Sequence, residues 1–287
     1  MKTENKVLAC VDHSHFTDHV ADYAIWAAKR MGTPLKFLHV IAAHHEIGSG
    51  ADHSGAIGIN SHETLLTKLS EEDAAQAKAA HEKGRLALNR LYERALDAGV
   101  TAPDMKQRHG DFEETLVAQE SGVDLFVWGR RGESSEGSPR KIGRNVERVV
   151  RALHKPILSV TEGFTEPTRV LFAFGGDALA RKGIEWLVGS PLLHGLPIYL
   201  LISGKDGRAD MKQIDWARTT LETAGFQVTF LLIPGDPLTI VAQTIQEQNI
   251  DLLIMGAYTH SPLRSMLFGC KTNTLLASVN IPVLLLR

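Results

Sequence analysis

The sequence predicts an α/β protein of two tandem, doubly wound sheets, each with five parallel strands. Short runs rich in leucine and β-branched residues alternate with segments of helical periodicity, which is the pattern of βαβ units around a buried parallel sheet. This alternation occurs twice along the chain. The length of 287 residues suits two ordinary domains, and 44% hydrophobic against 22% charged residues is sufficient for a sizeable core.

An internal repeat organises the chain. Three segments of the first half recur in the second half in the same order, with matching apolar and glycine positions. Because both copies carry the same strand and loop signals, they predict two domains of one fold. The matching pairs are Val7–Asp12 with Val170–Gly175, Val123–Gly129 with Ile250–Gly256, and Gly143–Pro156 with Gly269–Pro282.

The copies differ in length because the first carries an insertion between its second and third predicted strands. The insertion spans about residues 43–68 and is rich in Gly, His, Ser and Ala at its start. We therefore assign residues 1–160 to the first domain, 161–168 to a linker and 169–287 to the second domain.

Periodicity predicts the elements of the first copy. The helix after strand one has small and apolar residues on one face, and a longer stripe predicts a long helix before the third strand. The strands are Val7–Val11, Leu35–Ile41, Leu125–Trp128 and Ile157–Val160, the first face is Val20, Ala24, Ala27, Ala28 and Met31, and the stripe is Ala77, His81, Gly84, Leu88, Leu91, Ala95 and Ala98.

The second copy repeats this order, and right-handed crossovers then place helices on both faces of each sheet. Its predicted strands are Val170–Phe174, Ile198–Ile202, Val228–Ile233, Leu252–Met255 and Val283–Leu286, and its helices lie around Leu179–Val188 and Ile214–Ala224 and begin at Pro237 and Gly269.

The fold class also predicts where a ligand binds. In a doubly wound sheet, ligands bind beyond the carboxyl ends of the strands, where the strand order reverses. That rule points to Asp12 and His13 after strand one and to Gly129-Arg130-Arg131-Gly132 after strand four. A further glycine, Gly143, precedes the next predicted helix. Bare glycine N–H groups beside a helix N-terminus suit a phosphate, although a plain turn or strand-to-helix packing also explains these glycines.

The segment after strand four is the most basic stretch of the chain. Arg130, Arg131, Arg140 and Lys141 predict either phosphate-pairing cations or a solvated loop. The formal net charge of −2 argues against a nucleic-acid partner. The sequence also lacks the apolar run of ~20 residues that a membrane span needs.

At these residues the chain resembles the universal stress protein family in its tandem, two-domain bacterial form, over nearly its whole length. Nucleotide-binding members of that family carry Gly-x2-Gly-x9-Gly followed by Ser or Thr, an early Asp after strand one and a Leu-His-Val second strand. The first copy has Asp12, Leu38-His39-Val40, Gly129 and Gly132. The resemblance implies a Rossmann-like, adenine nucleotide alpha hydrolase-like fold that binds ATP or another adenine nucleotide, with or without Mg²⁺.

Both copies depart from the family pattern. In the first, Gly143 follows after ten intervening residues rather than nine, and Arg144 replaces the hydroxyl residue, which exchanges a neutral donor for a fixed charge. In the second, Thr259 and Cys270 replace the second glycine and the hydroxyl residue, and Gly175 stands in place of the early Asp. The first domain is therefore the favoured nucleotide site.

The resemblance assigns a role to each matching position. The early Asp contacts the adenosine portion, the end of strand two packs near the base, and the glycine loops hold phosphates. No catalytic residue and no metal ligand is predicted. The expected binding residues are Val11, Asp12, His13, Val40, Gly129, Gly132, Gly143, Arg144 and Asn145 in the first domain, and Gly256, Thr259, Gly269 and Cys270 in the second.

Two further groups of polar residues each have two interpretations. His13, His15 and His19 with nearby carboxylates, together with His44, His45, His53 and His62 of the insertion, predict either a metal site or, more simply, a solvated surface. Asp111 and Asp236 match between the copies and are either paired acids or helix N-caps, and their place before a helix favours N-caps.

Cys10 and Cys270 lack CxxC spacing and indicate neither a disulfide framework nor a zinc site. Cys10, inside strand one, is predicted to be buried and inert, whereas Cys270 at a helix start is expected to be oxidation-sensitive. His39, inside an apolar strand, is predicted to be a hydrogen-bonded core histidine.

These observations predict a cytoplasmic, stress-linked binding module without a catalytic centre. Single-domain relatives dimerise through their final strands, so we expect an intramolecular pseudo-dimer with Ile157–Val160 beside Val283–Leu286. Protein partners and a homodimer of tandem chains stay open. The alternatives are a weak ATPase or a phosphoryl or nucleotidyl transferase using Asp12, and a protein with vestigial pockets that acts only through partners.

Overall fold

The computed structural model describes residues 5–41, 61–133, 144–175, 178–203, 211–256 and 274–287, with only the backbone described at 61–74, 144–147 and 178. Ten strands form one sheet in the order β3-β2-β1-β4-β5-β10-β9-β6-β7-β8. The strands are β1 (Lys6–Val11), β2 (Leu35–Ile41), β3 (Asp104–His109), β4 (Val123–Gly129), β5 (Ile157–Val160), β6 (Val170–Ala173), β7 (Ile198–Ile202), β8 (Val228–Leu232), β9 (Leu252–Gly256) and β10 (Val283–Leu286).

Helices connect the strands within each half of the sheet, as the alternating pattern predicts. A short helical segment at 274–278 precedes β10. The α-helices are α1 (Thr17–Met31), α2 (Ser61–Asp97), α3 (Phe112–Val117), α4 (Arg144–Ala152), α5 (Ala178–Gly189), α6 (Met211–Thr223) and α7 (Pro237–Glu247).

The two predicted five-stranded sheets are confirmed as the halves of the ten-stranded sheet, which we call the first lobe (β1 to β5) and the second lobe (β6 to β10). Strands within each lobe are parallel, and the lobes join where β5 and β10 pair antiparallel, Leu158 opposite Leu284. The predicted neighbourhood of the final strands is therefore confirmed. Both faces of the sheet carry an apolar layer that contains residues of both lobes.

Helix α1 is buried on more than its predicted face. Gly32, in the left-handed conformation at φ 64°, ends the helix and donates its N–H to the Ala28 carbonyl. Tyr23 and Trp26 are also buried, because the linker and the second lobe cover the outer side of the helix. The ring of Tyr23 lies 4.8 Å from that of Phe164, between ring centroids.

Helix α2 begins at Ser61, inside the predicted insertion, and spans 37 residues. Of its predicted stripe, Gly84, Leu88, Leu91 and Ala95 are buried against the sheet, whereas Ala77 and His81 are exposed. The prediction therefore holds for the half of the helix that packs on β2 and β3. The remainder of the predicted insertion lies outside the described residues.

Asp111 and Asp236 are helix N-caps, as favoured from the sequence. The Asp111 carboxylate accepts the Glu114 N–H at 3.1 Å, and the Asp236 carboxylate accepts the Thr239 N–H at 3.2 Å. Each carboxylate therefore satisfies an amide at the start of its helix, a role that accounts for the match between the copies.

Candidate functional site

The candidate site of the first lobe lies where the strand order reverses, between β1 and β4. Strand β1 pairs with β2 on one side and with β4 on the other, so the chain leaves both β1 and β4 at the same edge of the sheet. Asp12 follows β1 directly, and Gly129 ends β4. The topology therefore places the two predicted binding segments beside each other.

The Asp12 carboxylate joins these two segments. One oxygen, Oδ1, accepts the Ser14 N–H at 2.9 Å and the Ser14 hydroxyl at 2.6 Å. The other, Oδ2, accepts the Glu133 N–H at 2.8 Å. The Thr17 hydroxyl donates to the Asp12 carbonyl at 2.7 Å, which ties the start of α1 to the same residue. Asp12 therefore holds the loop after β1 against the loop after β4.

Two glycines of the loop after β4 are required by close packing. A Cβ on Gly132 would lie 2.6 Å from Asp12 Oδ2, and a Cβ on Gly129 would lie 2.8 Å from the Cβ of Phe16. In the second lobe, a Cβ on Gly256 would lie 2.8 Å from Leu179 Cδ2. Strand-to-helix packing thus accounts for Gly129 and Gly256, whereas Gly132 is needed by the Asp12 junction.

A second wall of the site comes from α2 and the neighbouring strands. His13 lies beside the buried His39, with ring centroids 4.9 Å apart. Gln107 on β3 donates to His39 Nδ1 at 3.1 Å. A Cβ on Gly84 of α2 would lie 2.5 Å from the same Nδ1, so the helix backbone approaches these side chains closely. The predicted hydrogen-bonded core histidine is confirmed.

The electrostatics of this wall favour neutral imidazoles. Burial, with smaller contributions from nearby charges including His13, lowers the pKa of His39 to about 4. Burial also lowers the pKa of His13, and the cation of Lys83 acts in the same direction. Lys83, on α2, forms an ion pair with Glu133 at 3.6 Å. Helix α2 therefore reaches the loop after β4 at the same residue whose amide bonds to Asp12.

The Arg130 side chain is neither solvated nor free to pair with a phosphate, so both interpretations offered for it from the sequence are corrected. Its side chain is 6% exposed and donates to the Val279 and Ile281 carbonyls of the second lobe, the latter at 2.9 Å. Burial lowers the pKa of its guanidinium to about 10. The basic character assigned to the loop from its sequence therefore overstates its free charge.

The remaining predicted residues are placed as follows. Val11 is buried at the end of β1, and Val40 is half-buried in β2. Arg144 and Asn145 begin α4, but their side chains are not among those described. Outside the described residues lie Gly143, Thr259, Gly269 and Cys270, together with Arg140 and Lys141.

Cys10 is buried, and burial raises the pKa of its thiol, which agrees with the expected inert residue. Among the described residues, no group of three or more His, Cys, Asp and Glu side chains is arranged to hold a metal ion. His15 instead bonds to Glu162 at 2.6 Å. Within the described ranges, no helix has both the length and the apolar character needed to cross a bilayer.

Gln107, Lys83, Glu133 and Gly84 were not among the predicted site residues. Lys83 and Gly84 reach the site because α2 packs on β2 and β3, where it meets Gln107 on β3 and Glu133 in the loop after β4, a placement that no local pattern reveals. The only sequence signal was Gly84, a glycine in the middle of an otherwise helical stripe.

The family model described as the universal stress protein family matches residues 4–161 and 167–287, one match for each lobe. The chain belongs to the universal stress protein family. It is 32% identical over 285 residues to universal stress protein Slr1230 of Synechocystis, covering 98% of this chain and 99% of that protein. The tandem arrangement is therefore shared over the full length of a curated relative.

Solved structures agree on the fold. A universal stress protein from Archaeoglobus fulgidus superposes with a TM-score of 0.71 at 17% identity, covering 99% of this chain and 96% of that one. Protein PA1789 of Pseudomonas aeruginosa PAO1, described as functionally unknown, has a TM-score of 0.59 at 12% identity and covers 99% and 92%.

Proposed function

We propose that this universal stress protein binds an adenine nucleotide such as ATP in its first lobe and acts as a binding module in a stress response. The observation that carries the proposal is the junction between Asp12 and the Gly132–Glu133 backbone at the reversal of strand order. It closes the loop after β4 against the loop after β1 at the edge where doubly wound sheets bind ligands.

The phosphate end of the nucleotide faces the glycine loop in this proposal. Because Arg130 is bonded to the second lobe, backbone N–H groups of the loop and the start of α4 supply the positive potential for the phosphates. The adenosine end faces Asp12, Val40 and the neutral imidazole of His13 in this proposal.

The geometry supports holding a nucleotide rather than converting it. Both carboxylate oxygens of Asp12 already accept hydrogen bonds, from Ser14 and from Glu133. Neither oxygen can take a proton from an attacking water without giving up one of these hydrogen bonds, so the carboxylate is poorly placed to act as a general base. We therefore expect any hydrolysis of a bound nucleotide to be slow. In the second lobe, Gly175 offers no side chain at the position of Asp12.

The test is calorimetric titration of the purified protein with ATP, ADP and adenosine. We expect micromolar affinity for ATP in the wild-type protein. The Gly132→Ala variant should bind ATP at least tenfold more weakly, about 1.4 kcal/mol, because the new Cβ would displace the Asp12 carboxylate 2.6 Å away.

The matched control is Gly175→Ala. Gly175 also follows the first strand of its lobe, but a Cβ there has no neighbouring atom within 4 Å among the described residues. This variant should bind ATP like the wild type. If the wild-type protein shows no binding at millimolar ATP, the proposed function is wrong. If Gly132→Ala keeps full affinity, the site is misplaced.

A further inference from the structure

We propose that the second lobe positions the nucleotide site of the first lobe through Arg130, which acts as a positioning residue without touching the ligand. The inference rests on the proposed function, because it concerns the same glycine loop. It gives the tandem arrangement a specific role, since the loop of one lobe is held by carbonyl groups of the other.

The first step is the path of Arg130. Its backbone N–H donates to the Val160 carbonyl at 2.9 Å, which continues the pairing of β4 with β5. Its side chain runs to the Val279 and Ile281 carbonyls, in the turn between helical segment 274–278 and β10. One residue of the glycine loop is therefore fixed on both sides, by its own lobe and by the other.

The second step is the energetic cost of this arrangement. Arg130 is 6% exposed, and among the described residues no carboxylate pairs with its side chain. A buried cation without a counter-charge is stable only while its hydrogen-bond acceptors are in place. The Val279 carbonyl, at the end of helical segment 274–278, carries partial negative charge and suits this role. Any shift of the second lobe at Val279 therefore moves Arg130 or leaves it unpaired.

The third step is a reciprocal contact. Arg287, directly after β10, donates from Nε to the Leu153 carbonyl at 3.1 Å and from its guanidinium to the Arg151 carbonyl at 2.8 Å. Both carbonyls lie at the end of α4, the next α-helix described along the chain after β4. Leu153 and Val279 are matching positions of the repeat. The same helix carbonyl in each lobe is thus bound by an arginine of the other lobe.

The fourth step connects these contacts to the site. Arg130 lies between Gly129 and Gly132 in the sequence. Glu133, which follows Gly132, donates its N–H to Asp12. Because the chain from Gly129 to Glu133 is short, a change in the position of Arg130 changes the distance between Glu133 and Asp12. The Arg130 contacts with the second lobe therefore help to set the geometry that the phosphates would meet.

The test compares Arg130→Met with two matched controls. Methionine keeps the apolar stem but removes the guanidinium. Arg30→Met removes another contact between the lobes, from Arg30 to the Leu192 carbonyl at 3.0 Å, far from the glycine loop. Arg169→Met removes an arginine that bonds to a helix-end carbonyl within the second lobe, that of Gln248 at 3.1 Å.

Three values are measured for each variant: the affinity for ATP and the affinity for adenosine, both by calorimetry, and hydrogen exchange of the Glu133 amide by NMR in the nucleotide-free protein. For Arg130→Met we expect at least a tenfold loss of ATP affinity, little change for adenosine, and at least tenfold faster exchange at Glu133. Both controls should match the wild type in all three values. Arg287→Met should shift them in the direction of Arg130→Met, and it provides the test should Arg130→Met fail to fold.

The outcomes separate this inference from the proposed function. Wild-type ATP affinity with unchanged Glu133 exchange in Arg130→Met and Arg287→Met overturns the inference and leaves the proposed function intact. An equal effect in Arg30→Met also overturns it, since general docking of the lobes would then be the cause. If the wild-type protein does not bind ATP, the proposed function fails, and Glu133 exchange still decides whether Arg130 positions the loop.

Discussion

At the scale of single residues, the contacts of Gln107 indicate which ring nitrogen of His39 carries the proton. The Gln107 side chain contacts the His81 carbonyl at 3.3 Å, an acceptor only, so the atom facing it is the amide nitrogen. The same nitrogen lies 3.1 Å from His39 Nδ1, which therefore accepts a hydrogen bond and carries no proton. His39 is thus the neutral tautomer with its proton on Nε2, in agreement with its lowered pKa.

This state predicts a loss of stability in acid. With a pKa of about 4 in the folded protein and near 6.5 in the unfolded chain, His39 binds its proton more tightly when unfolded. Its contribution to stability is therefore complete above pH 6.5 and lost as the pH falls from 6.5 towards 4. At pH 4.5 the loss should be about 2 kcal/mol.

The measurement is urea unfolding of the wild-type protein and of His39→Gln at pH 7.5 and pH 4.5. Asp12, His13, Lys83 and His109 also face His39 and influence its titration, so the difference between the two proteins isolates the His39 contribution. The variant should lose about 2 kcal/mol less than the wild type over this range. Identical losses in both proteins would show that His39 does not titrate in this way.

At the scale of elements, α2 joins the site through the backbone of Gly84. Alanine normally stabilises a helix interior by about 1 kcal/mol over glycine. Here a Cβ would lie 2.2 Å from Gln107 Nε2 and 2.5 Å from His39 Nδ1. We expect Gly84→Ala to lower the free energy of unfolding by about 1–3 kcal/mol, because the added methyl group overpacks this contact.

Gly189 provides the matched control for α2. It is the last residue of α5, is exposed, and a Cβ there has no neighbouring atom within 4 Å among the described residues. Gly189→Ala should leave stability unchanged or raise it by up to ~1 kcal/mol in the same urea experiment. A Gly84→Ala protein as stable as the wild type would mean that α2 does not approach His39 as closely as the structure shows.

The elements also show which parts of the fold can be predicted from the sequence. Strand runs such as Leu35–Ile41 were predictable because a parallel strand covered on both faces is mostly apolar, interrupted here only by Lys36 and His39. The outer face of α1 was not, because its cover comes from the linker and the second lobe, far along the chain. Arg130 was misplaced for the same reason: an arginine between glycines is typical of an exposed loop, and its carbonyl partners follow 149 and 151 residues later.

The candidate site, too, was predictable only in part. Asp12 and Gly132 were predictable because the topology of a doubly wound sheet and the family pattern both point to them. The hydrogen bond from the Glu133 N–H to Asp12 depends on how the loop after β4 returns to the end of β1. The wall made by Gln107 and Gly84 depends on how α2 lies across the strand ends. That path is set by tertiary packing and leaves only a weak trace in the periodicity of the helix.

At the scale of the whole molecule, the antiparallel pair of β5 and β10 makes one sheet of two lobes. Leu158 and Leu284 stand opposite each other in this pair, are fully buried and belong to the same apolar layer. A parallel lobe with an open final strand would expose these residues and the backbone groups of its edge. The pairing therefore satisfies within one chain what separate single-domain copies would satisfy by association.

A double-mutant cycle across this pair tests the continuity of the core. Leu158→Ala and Leu284→Ala should each lower the free energy of unfolding by about 2–5 kcal/mol. Because both truncations enlarge one shared cavity, the double variant should depart from the sum of the single losses by at least about 0.5 kcal/mol. Leu200 on β7, in the same layer but four strands from β5, is the control partner, and Leu158→Ala with Leu200→Ala should be additive.

Urea unfolding followed by both circular dichroism and tryptophan fluorescence provides these values, since coincident transitions show that the lobes unfold together. Additivity in both cycles would mean that the lobes pair through their backbones without a shared core.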